Sequence, residues 1–167
     1  MNIYSYLSMS LEISLAIGYY NTSDITSDMR SPDLKKPSAL FSKNILVLDD
    51  ELEIVSLIKH FLQRQGYRVF GFTDPMLAIE HFMLNSRNYS LIVCDVRMPA
   101  MNGFDCIKKM REIVPSIKVI LMSAFDINDP LYIGLSSSLK INGFIQKPFS
   151  LKEVALIIMK QLVKRTK

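Results

Sequence analysis

The fold of this chain is decided by the stretch Ile45-Leu46-Val47-Leu48-Asp49-Asp50, in which four apolar residues run directly into two carboxylates. A continuous apolar run of this length is typical of a strand that is buried on both faces of a parallel sheet. Two later stretches repeat the pattern, residues 91–94 before Asp95 and residues 144–146 before Lys147. If the three stretches are neighbouring parallel strands, their carboxyl ends open onto one crevice, where ligands bind in open α/β sheets.

The segments between these strands have the period of helices. After Asp50, apolar residues recur at the spacing of an amphipathic helix that Gly66 ends, namely Ile54, Leu57, Ile58, Phe61 and Leu62. The further predicted elements are a strand at 67–70, a helix from Asp74-Pro75 to Leu84, a strand at 91–94, a helix at 105–114, a strand at 117–122, a marginal helix from Asp129-Pro130, a strand at 142–146 and a helix capped by Ser150. Five successive strand–helix units imply an α/β protein with a parallel sheet and helices on both faces.

The composition indicates one globular domain with a tail. Hydrophobic residues make up 49% and charged residues 22% of the 167 residues, close to globular averages. Residues 21–42 are rich in Ser, Thr, Asp and Pro, which is typical of a linker that cannot order itself. We therefore expect an N-terminal extension over residues 1–42, flexible or partly helical, and a compact domain over residues 43–167. A mistaken translation start explains the extension equally well.

The charge distribution and the cysteines restrict the class of partner and the compartment. The net charge is +4, but residues 1–42 hold three basic against four acidic residues, and most of the remaining basic excess lies on scattered helix positions. Scattered basic residues are typical of solvated faces, so no direct nucleic-acid contact is expected. The two cysteines lack CxxC spacing, and no signal peptide or membrane-spanning stretch is present. These features predict a cytoplasmic protein without membrane contact.

Three carboxylates at the predicted crevice point to a bound cation. Asp49, Asp50 and Asp95 would repel one another unless a cation joins them, which predicts a hard divalent ion. Mg²⁺ favours few protein oxygens, several waters and a phosphate oxygen, and so matches such a site. Lys147 would place a positive charge beside Asp95, and Ser123 would add a hydroxyl donor. Alternatively, Asp50 could serve as the N-cap of the helix that follows.

The motifs at the strand ends closely resemble the receiver domain of two-component response regulators. They are Asp49-Asp50, Asp95-Val96-Arg97-Met98-Pro99 with Met101-Asn102-Gly103, Ser123-Ala124 and Lys147-Pro148-Phe149. The resemblance extends from Lys43 to about Lys164. It implies a doubly wound, five-stranded parallel sheet of the flavodoxin-like (βα)5 type, with strand order 2-1-3-4-5.

The resemblance also implies roles for individual residues. Asp95 would be the phosphoacceptor, which attacks the phosphoryl group of a histidine kinase's phosphohistidine and forms an acyl phosphate. Asp50 and Asp95 would bind Mg²⁺ directly, together with the backbone carbonyl of Arg97, and Asp49 would act through water. Lys147 would neutralise charge on the phosphoryl oxygens.

A conformational switch is implied at two further positions. In the family, a hydroxyl at the position of Ser123 moves to bond the phosphoryl group, and an aromatic side chain at the position of Phe144 turns inward. Phe144 lacks a hydroxyl, so its inward state would depend on packing alone, and an ordinary core role is an equally good interpretation.

The leading functional hypothesis is a regulator that binds a sensor histidine kinase or a phosphotransfer protein and an unknown downstream protein when phosphorylated. No output domain of its own is expected, because the last helix ends near Arg165, and it would be no enzyme beyond catalysing its own phosphorylation and dephosphorylation.

One alternative is a Mg²⁺-dependent aspartyl-phosphate phosphatase or phosphotransferase acting on an external substrate. Such enzymes usually carry a second carboxylate two residues past the nucleophile, where this chain has Arg97. Another is a nucleic-acid-binding protein, which the acidic N-terminal segment disfavours.

Overall fold

The computed structural model describes residues 44–124, 134 and 137–162. The elements in this part of the chain are β1 (Asn44–Leu48), α1 (Leu52–Arg64), β2 (Val69–Phe72), α2 (Pro75–Asn85), a 3-10 turn (Ser86–Asn88), β3 (Tyr89–Asp95), α3 (Gly103–Ile113), β4 (Lys118–Ser123), β5 (Gly143–Gln146) and α4 (Leu151–Leu162). The predicted extension over residues 1–42, and most of the predicted helix from Asp129, lie outside the described residues.

The strands form one sheet in the order β2-β1-β3-β4-β5, and every pairing is parallel. The predicted doubly wound, five-stranded α/β fold and its strand order are therefore confirmed. The register aligns the carboxyl ends of the strands: Leu48 lies opposite Cys94, and Ser123 lies opposite Gln146. The residues that follow these positions consequently meet at one edge of the sheet.

The core lies on both sides of the three central strands. Residues 45–48 of β1, 91–94 of β3 and 119–122 of β4 are all completely buried. Such strands need apolar residues at every position rather than at alternate ones, because helices cover both faces of the sheet. Among the residues that the structure describes, none of the helices combines the length and the apolar character needed to cross a membrane.

Two expectations for the first helix were wrong. Leu57, predicted to face the core, is 43% exposed, whereas Val55 is buried. The apolar stripe of α1 is wider than the face that the sheet can cover, and periodicity alone does not tell which edge stays outside. Asp50 is not the N-cap of α1: that position belongs to Glu51, whose side chain makes no capping bond.

Helix caps account for other element boundaries. Asp74 accepts hydrogen bonds from the backbone N–H groups of Met76 and Leu77, as its position before Pro75 predicts. Ser150 and Glu153 form a reciprocal capping box at the start of α4. The helix α3 begins at Gly103, two residues earlier than predicted, because the preceding Asn102 acts as its cap. Strand β2 starts two residues later than predicted, since it pairs with β1 only from Val69 onward.

Candidate functional site

Three charged side chains meet at the carboxyl edge of the sheet. Asp49 follows β1, Asp95 ends β3 and Lys147 follows β5. The ammonium nitrogen Nζ of Lys147 lies 2.8 Å from Oδ2 of Asp49 and 2.9 Å from Oδ1 of Asp95. Both carboxylates are almost inaccessible to solvent, at 0% and 3% exposure respectively. The sheet thus brings two buried carboxylates from distant parts of the chain to one partly buried ammonium group.

The two oxygens of Asp95 have different environments. Oδ2 accepts a hydrogen bond of 2.7 Å from the backbone N–H of Arg97, whose side chain is exposed. Oδ1 faces Lys147. The N–H bond to Oδ2 fixes the orientation of the carboxylate, and as a result Oδ1 is held towards the ammonium group of Lys147.

The two oxygens of the Asp49 carboxylate are held in different ways. Its Oδ1 accepts a hydrogen bond of 3.0 Å from the backbone N–H of Glu51. Its Oδ2 is ion-paired with Lys147, but within the described ranges this buried oxygen accepts no hydrogen bond of acceptable geometry. A buried carboxylate oxygen with spare acceptor capacity is suited to a water molecule that is itself bound to a metal ion.

Asp50 lies at the exposed rim of the same edge. Burial raises the pKa of Asp95, and the negative charge of Asp50 adds to that increase. In the part of the chain that the structure describes, no three Asp, Glu, His or Cys side chains form a ready chelating group. Mg²⁺ does not require one, since it commonly binds one or two carboxylates and keeps several waters. The hard oxygen donors of Asp50 and Asp95, beside the spare oxygen of Asp49, fit that ion.

Burial and neighbouring charges shift the pKa values of Asp49, Asp95 and Lys147 in opposite directions. Burial raises the pKa of Asp49 and of Asp95, and the adjacent ammonium of Lys147 counteracts this increase. Burial lowers the pKa of Lys147, but the two carboxylates outweigh it and leave that pKa above the usual value for lysine. Lys147 is therefore charged at neutral pH, and it favours the ionised, nucleophilic form of both carboxylates.

The two predicted switch residues lie beside this cluster. Ser123, at the end of β4, is 2% exposed, and its backbone carbonyl accepts a hydrogen bond of 2.7 Å from the N–H of Lys147. This bond ties the backbone that carries the lysine to β4. Phe144 is half-buried and packs against the hydrophobic core, opposite Leu121 in the sheet. In this state, Phe144 has a packing role.

Two residues at the site were missed by sequence reasoning. Oε1 of Glu51 lies 3.2 Å from Nζ of Lys147, so the lysine has a third, exposed carboxylate partner. The sequence feature that could have predicted this contact is that a third acidic residue follows directly after Asp49 and Asp50. Gly103 was named only as part of a motif, without a role of its own, but this residue starts α3 and packs against the backbone of Asp95.

Comparison with known proteins identifies the family. The family described as "Response regulator receiver domain" matches residues 45–159. The response regulator GtcR of Aneurinibacillus migulanus is 36% identical over 121 residues, which cover 72% of this chain and 48% of GtcR. The chain thus spans about half the length of this curated relative, and 52% of the Staphylococcus aureus response regulator SaeR, with which it is 30% identical.

Solved structures agree with this assignment. The response regulator TrrA of Thermotoga maritima, solved in complex with Mg²⁺-BeF, is 29% identical with a TM-score of 0.60, over 72% of this chain and 99% of TrrA. The CheX-CheY-BeF3-Mg²⁺ complex from Borrelia burgdorferi has the same fold, with a TM-score of 0.66 and 24% identity over 73% of this chain and 90% of the solved one. From the matching family, the strand order and the relatives, we conclude that this chain belongs to the response regulator receiver domains, the signalling modules of two-component systems.

Proposed function

We propose that this chain is a phosphoacceptor that takes a phosphoryl group from the phosphohistidine of a histidine kinase onto Asp95. The observation that carries this proposal is the asymmetry of that carboxylate. Its Oδ2 is anchored by the backbone N–H of Arg97 at 2.7 Å, while its Oδ1 lies 2.9 Å from the ammonium of Lys147. One oxygen is therefore oriented and the other is presented beside a positive charge, as a nucleophile for phosphorus requires.

The chemistry needs little besides position and charge. An oxygen of Asp95 attacks the phosphorus, the bond from phosphorus to the imidazole nitrogen of the donor breaks, and the electron pair of that bond stays on the imidazole. Lys147 is close enough to neutralise charge on the phosphoryl oxygens, which dominates catalysis of phosphoryl transfer. Burial raises the pKa of Asp95, and the ammonium of Lys147 counteracts that increase, so the lysine favours the ionised form of the carboxylate, which is the form that attacks phosphorus.

We propose Mg²⁺ as the cofactor. The carboxylates of Asp50 and Asp95 and the backbone carbonyl of Arg97 would hold it, and Asp49 would act through a water. When bound, Mg²⁺ supplies positive charge that offsets the charge of the phosphoryl oxygens. The hard oxygen donors of this edge support the assignment, as does the Mg²⁺-BeF complex of the relative TrrA.

Signal output would pass through a change of shape at the same edge. Ser123 would bond the phosphoryl group through its hydroxyl, and Phe144 would turn further inward. The exposed surface near these residues would then bind a downstream protein, while a sensor kinase or a phosphotransfer protein supplies the phosphoryl group. The half-buried position of Phe144 supports this, because a side chain at the margin of the core can move without leaving a large cavity.

The direct test is phosphorylation by acetyl phosphate with Mg²⁺, followed by intact-mass measurement. We expect the native chain to gain one phosphoryl group and Asp95→Asn to gain none. Asp105→Asn is a matched control, since Asp105 is an exposed aspartate on α3 outside the site, and it should be labelled like the native chain. Equal labelling of the native chain and Asp95→Asn would refute the proposal.

A second measurement separates a receiver from an enzyme that acts on external substrates. A phosphatase would hydrolyse many equivalents of p-nitrophenyl phosphate per chain in the presence of Mg²⁺. For a receiver we expect labelling to stop at one phosphoryl group per chain, without sustained release of nitrophenol. Sustained release that Asp95→Asn abolishes would favour the enzyme.

A further inference from the structure

Glu51 occupies the cap position at the start of α1, but its side chain does not cap the helix. Cap positions favour Ser, Thr, Asp and Asn, whose short side chains accept hydrogen bonds from the free N–H groups of the first turn. Oε1 of Glu51 instead accepts a hydrogen bond of 3.2 Å from the ammonium group of Lys147, which lies 96 residues further along the chain. The side chain thus contacts the site and contributes nothing to capping.

The backbone of Glu51 is anchored on both sides. Its N–H donates a hydrogen bond of 3.0 Å to Oδ1 of Asp49, and its carbonyl accepts hydrogen bonds from the N–H groups of Ile54 and Val55 at 3.0 and 3.1 Å. These bonds tie the residue to a site carboxylate on one side and to the first turn of α1 on the other. The backbone of Glu51 consequently has a fixed position relative to the site, from which the side chain reaches Lys147.

The three carboxylates around the ammonium of Lys147 differ in exposure. Those of Asp49 and Asp95, at 2.8 and 2.9 Å, are almost completely buried, whereas the side chain of Glu51 is 58% exposed. The two aspartates therefore hold the ammonium from the interior of the protein, and Glu51 contacts it from the side of the solvent. A phosphoryl donor also arrives from the solvent, so it meets Lys147 on the side where Glu51 lies.

The charge balance of the site opposes the arrival of a phosphoryl group. The carboxylates of Asp49, Asp50, Glu51 and Asp95 share this edge of the sheet with the ammonium of Lys147, which leaves an excess of negative charge. The three aspartates have roles in the proposed phosphoryl transfer and metal binding, and Glu51 has neither role. Its charge repels an anionic donor and pairs with the ammonium that the donor needs.

We propose that Glu51 is a positioning residue that holds Lys147 in the unphosphorylated state and competes with the incoming phosphoryl group for its ammonium. The phosphoryl oxygens have to displace the Glu51 carboxylate before Lys147 can neutralise their charge. Because an exposed ion pair is weak, this displacement slows phosphorylation without preventing it. The inference rests on the proposed phosphoacceptor role of Asp95, to which it adds a residue that limits the rate.

The first experiment compares rates of phosphorylation by acetyl phosphate with Mg²⁺. In this reaction an oxygen of Asp95 bonds to phosphorus, and acetate leaves with the electron pair of the broken bond. Glu51→Gln keeps the shape of the side chain and removes its charge, and we expect it to be labelled about two- to fivefold faster than the native chain. Hydrolysis of the phosphorylated chain should keep its native rate, because the phosphoryl group already holds Lys147. A purely structural role of Glu51 would make the variant slower instead.

Glu53→Gln is the matched control for the loss of charge. Glu53 is an exposed glutamate in the first turn of α1, two residues from Glu51, and its variant should be labelled at nearly the native rate. A rate of Glu51→Gln equal to or below the native rate would overturn the inference, as would an equal increase in Glu53→Gln. A native chain that takes up no phosphoryl group would overturn the phosphoacceptor proposal as well, so the two failures are distinguishable.

The second experiment measures the pairing without phosphorylation, by urea denaturation in metal-free buffer. Lys147→Met removes the ammonium and keeps most of the aliphatic stem. The effect of Glu51→Gln on the folding equilibrium constant should be about two- to fivefold less favourable in the native background than in Lys147→Met, where the ammonium that pairs with Glu51 is gone. Equal effects in the two backgrounds would show that Glu51 and Lys147 are not coupled, and would overturn the inference.

Discussion

Gly103 packs so closely against Asp95 that a Cβ atom on Gly103 would lie 2.1 Å from the backbone carbonyl oxygen of Asp95. The N–H of Gly103 also donates a hydrogen bond of 2.9 Å to the carbonyl of Val96. The start of α3 therefore rests directly on the strand end that carries the proposed phosphoacceptor. The carbonyl groups of Asp95 and Val96 cannot move easily, since they belong to the backbone at the end of β3 and directly after it.

Replacing Gly103 by alanine should damage both the stability and the site. We expect Gly103→Ala to lower the free energy of unfolding by about 1–3 kcal/mol, as overpacking in a dense region does, and to slow phosphorylation of Asp95 by acetyl phosphate. Urea denaturation and intact-mass time courses would measure the two effects. Gly134→Ala is the control, because among the residues described no atom beyond its chain neighbours and its own helix backbone lies within 4 Å of its would-be Cβ. Similar loss of stability in both variants would contradict the packing explanation.

Removing Lys147 should change how stability depends on pH. Burial raises the pKa of Asp49 and of Asp95 above the usual 3.8, and the folded chain consequently binds their protons more tightly than the unfolded chain. Stability due to these groups therefore falls as the pH rises from about 4 through their folded-state pKa values. Lys147 lowers both pKa values and limits this fall.

For Lys147→Ala in metal-free buffer we expect a loss on the order of 3 kcal/mol at pH 7 and a much smaller loss at pH 4, where the carboxyl groups are closer to neutral. Urea denaturation at both pH values measures the difference. Lys108→Ala removes an exposed lysine that pairs with exposed Asp105, and it should have little effect at either pH. Equal losses for Lys147→Ala at the two pH values would show that the ion pairs do not stabilise the fold.

Asp50→Asn should reduce the affinity for Mg²⁺ without unfolding the chain. Asp50 is exposed at the rim of the site, so the substitution leaves the core intact. We expect the dissociation constant for Mg²⁺, measured by titration calorimetry, to increase at least about tenfold, the thermal stabilisation by Mg²⁺ to disappear, and phosphorylation to be lost. Asp105→Asn should bind Mg²⁺ like the native chain. Unchanged Mg²⁺ affinity in Asp50→Asn would remove Asp50 from the set of ligands.

Tyr89 offers a substitution that should not weaken the fold. Its hydroxyl is buried and has no hydrogen-bond partner among the described residues, while its ring packs against Phe70, His81 and Phe82. Because the ring contacts remain, Tyr89→Phe should leave the stability unchanged or raise it by up to about 1 kcal/mol. Tyr89→Ala, in contrast, should cost about 3–5 kcal/mol through the cavity it leaves. A clear loss in Tyr89→Phe would reveal an ordered water at the hydroxyl.

Some positions on the helices show that apolar periodicity predicts a helix but does not predict which of its residues are buried. The apolar spacing around Ile58 correctly predicts a helix, but Leu57 is exposed and Val55 is buried. Similarly, the apolar residues of α2 predict a helix from Asp74 to Leu84, yet Leu84 is 81% exposed. A helical pattern reports which residues share a side of the helix, and the rotation of that side towards the sheet is decided by packing.

The amino-acid sequence by itself determined the order of the elements, the parallel sheet and the identity of the charged residues at the strand ends. These follow from local patterns, since a buried strand needs a continuous apolar run and its end is marked by the first charged residue. Only the tertiary structure decided that Lys147 lies between Asp49 and Asp95, that Glu51 joins them, and that Gly103 must lack a side chain. The physical reason is that these relationships are distances between segments far apart in the chain, which the register of the strands and the packing of α3 on β3 establish together.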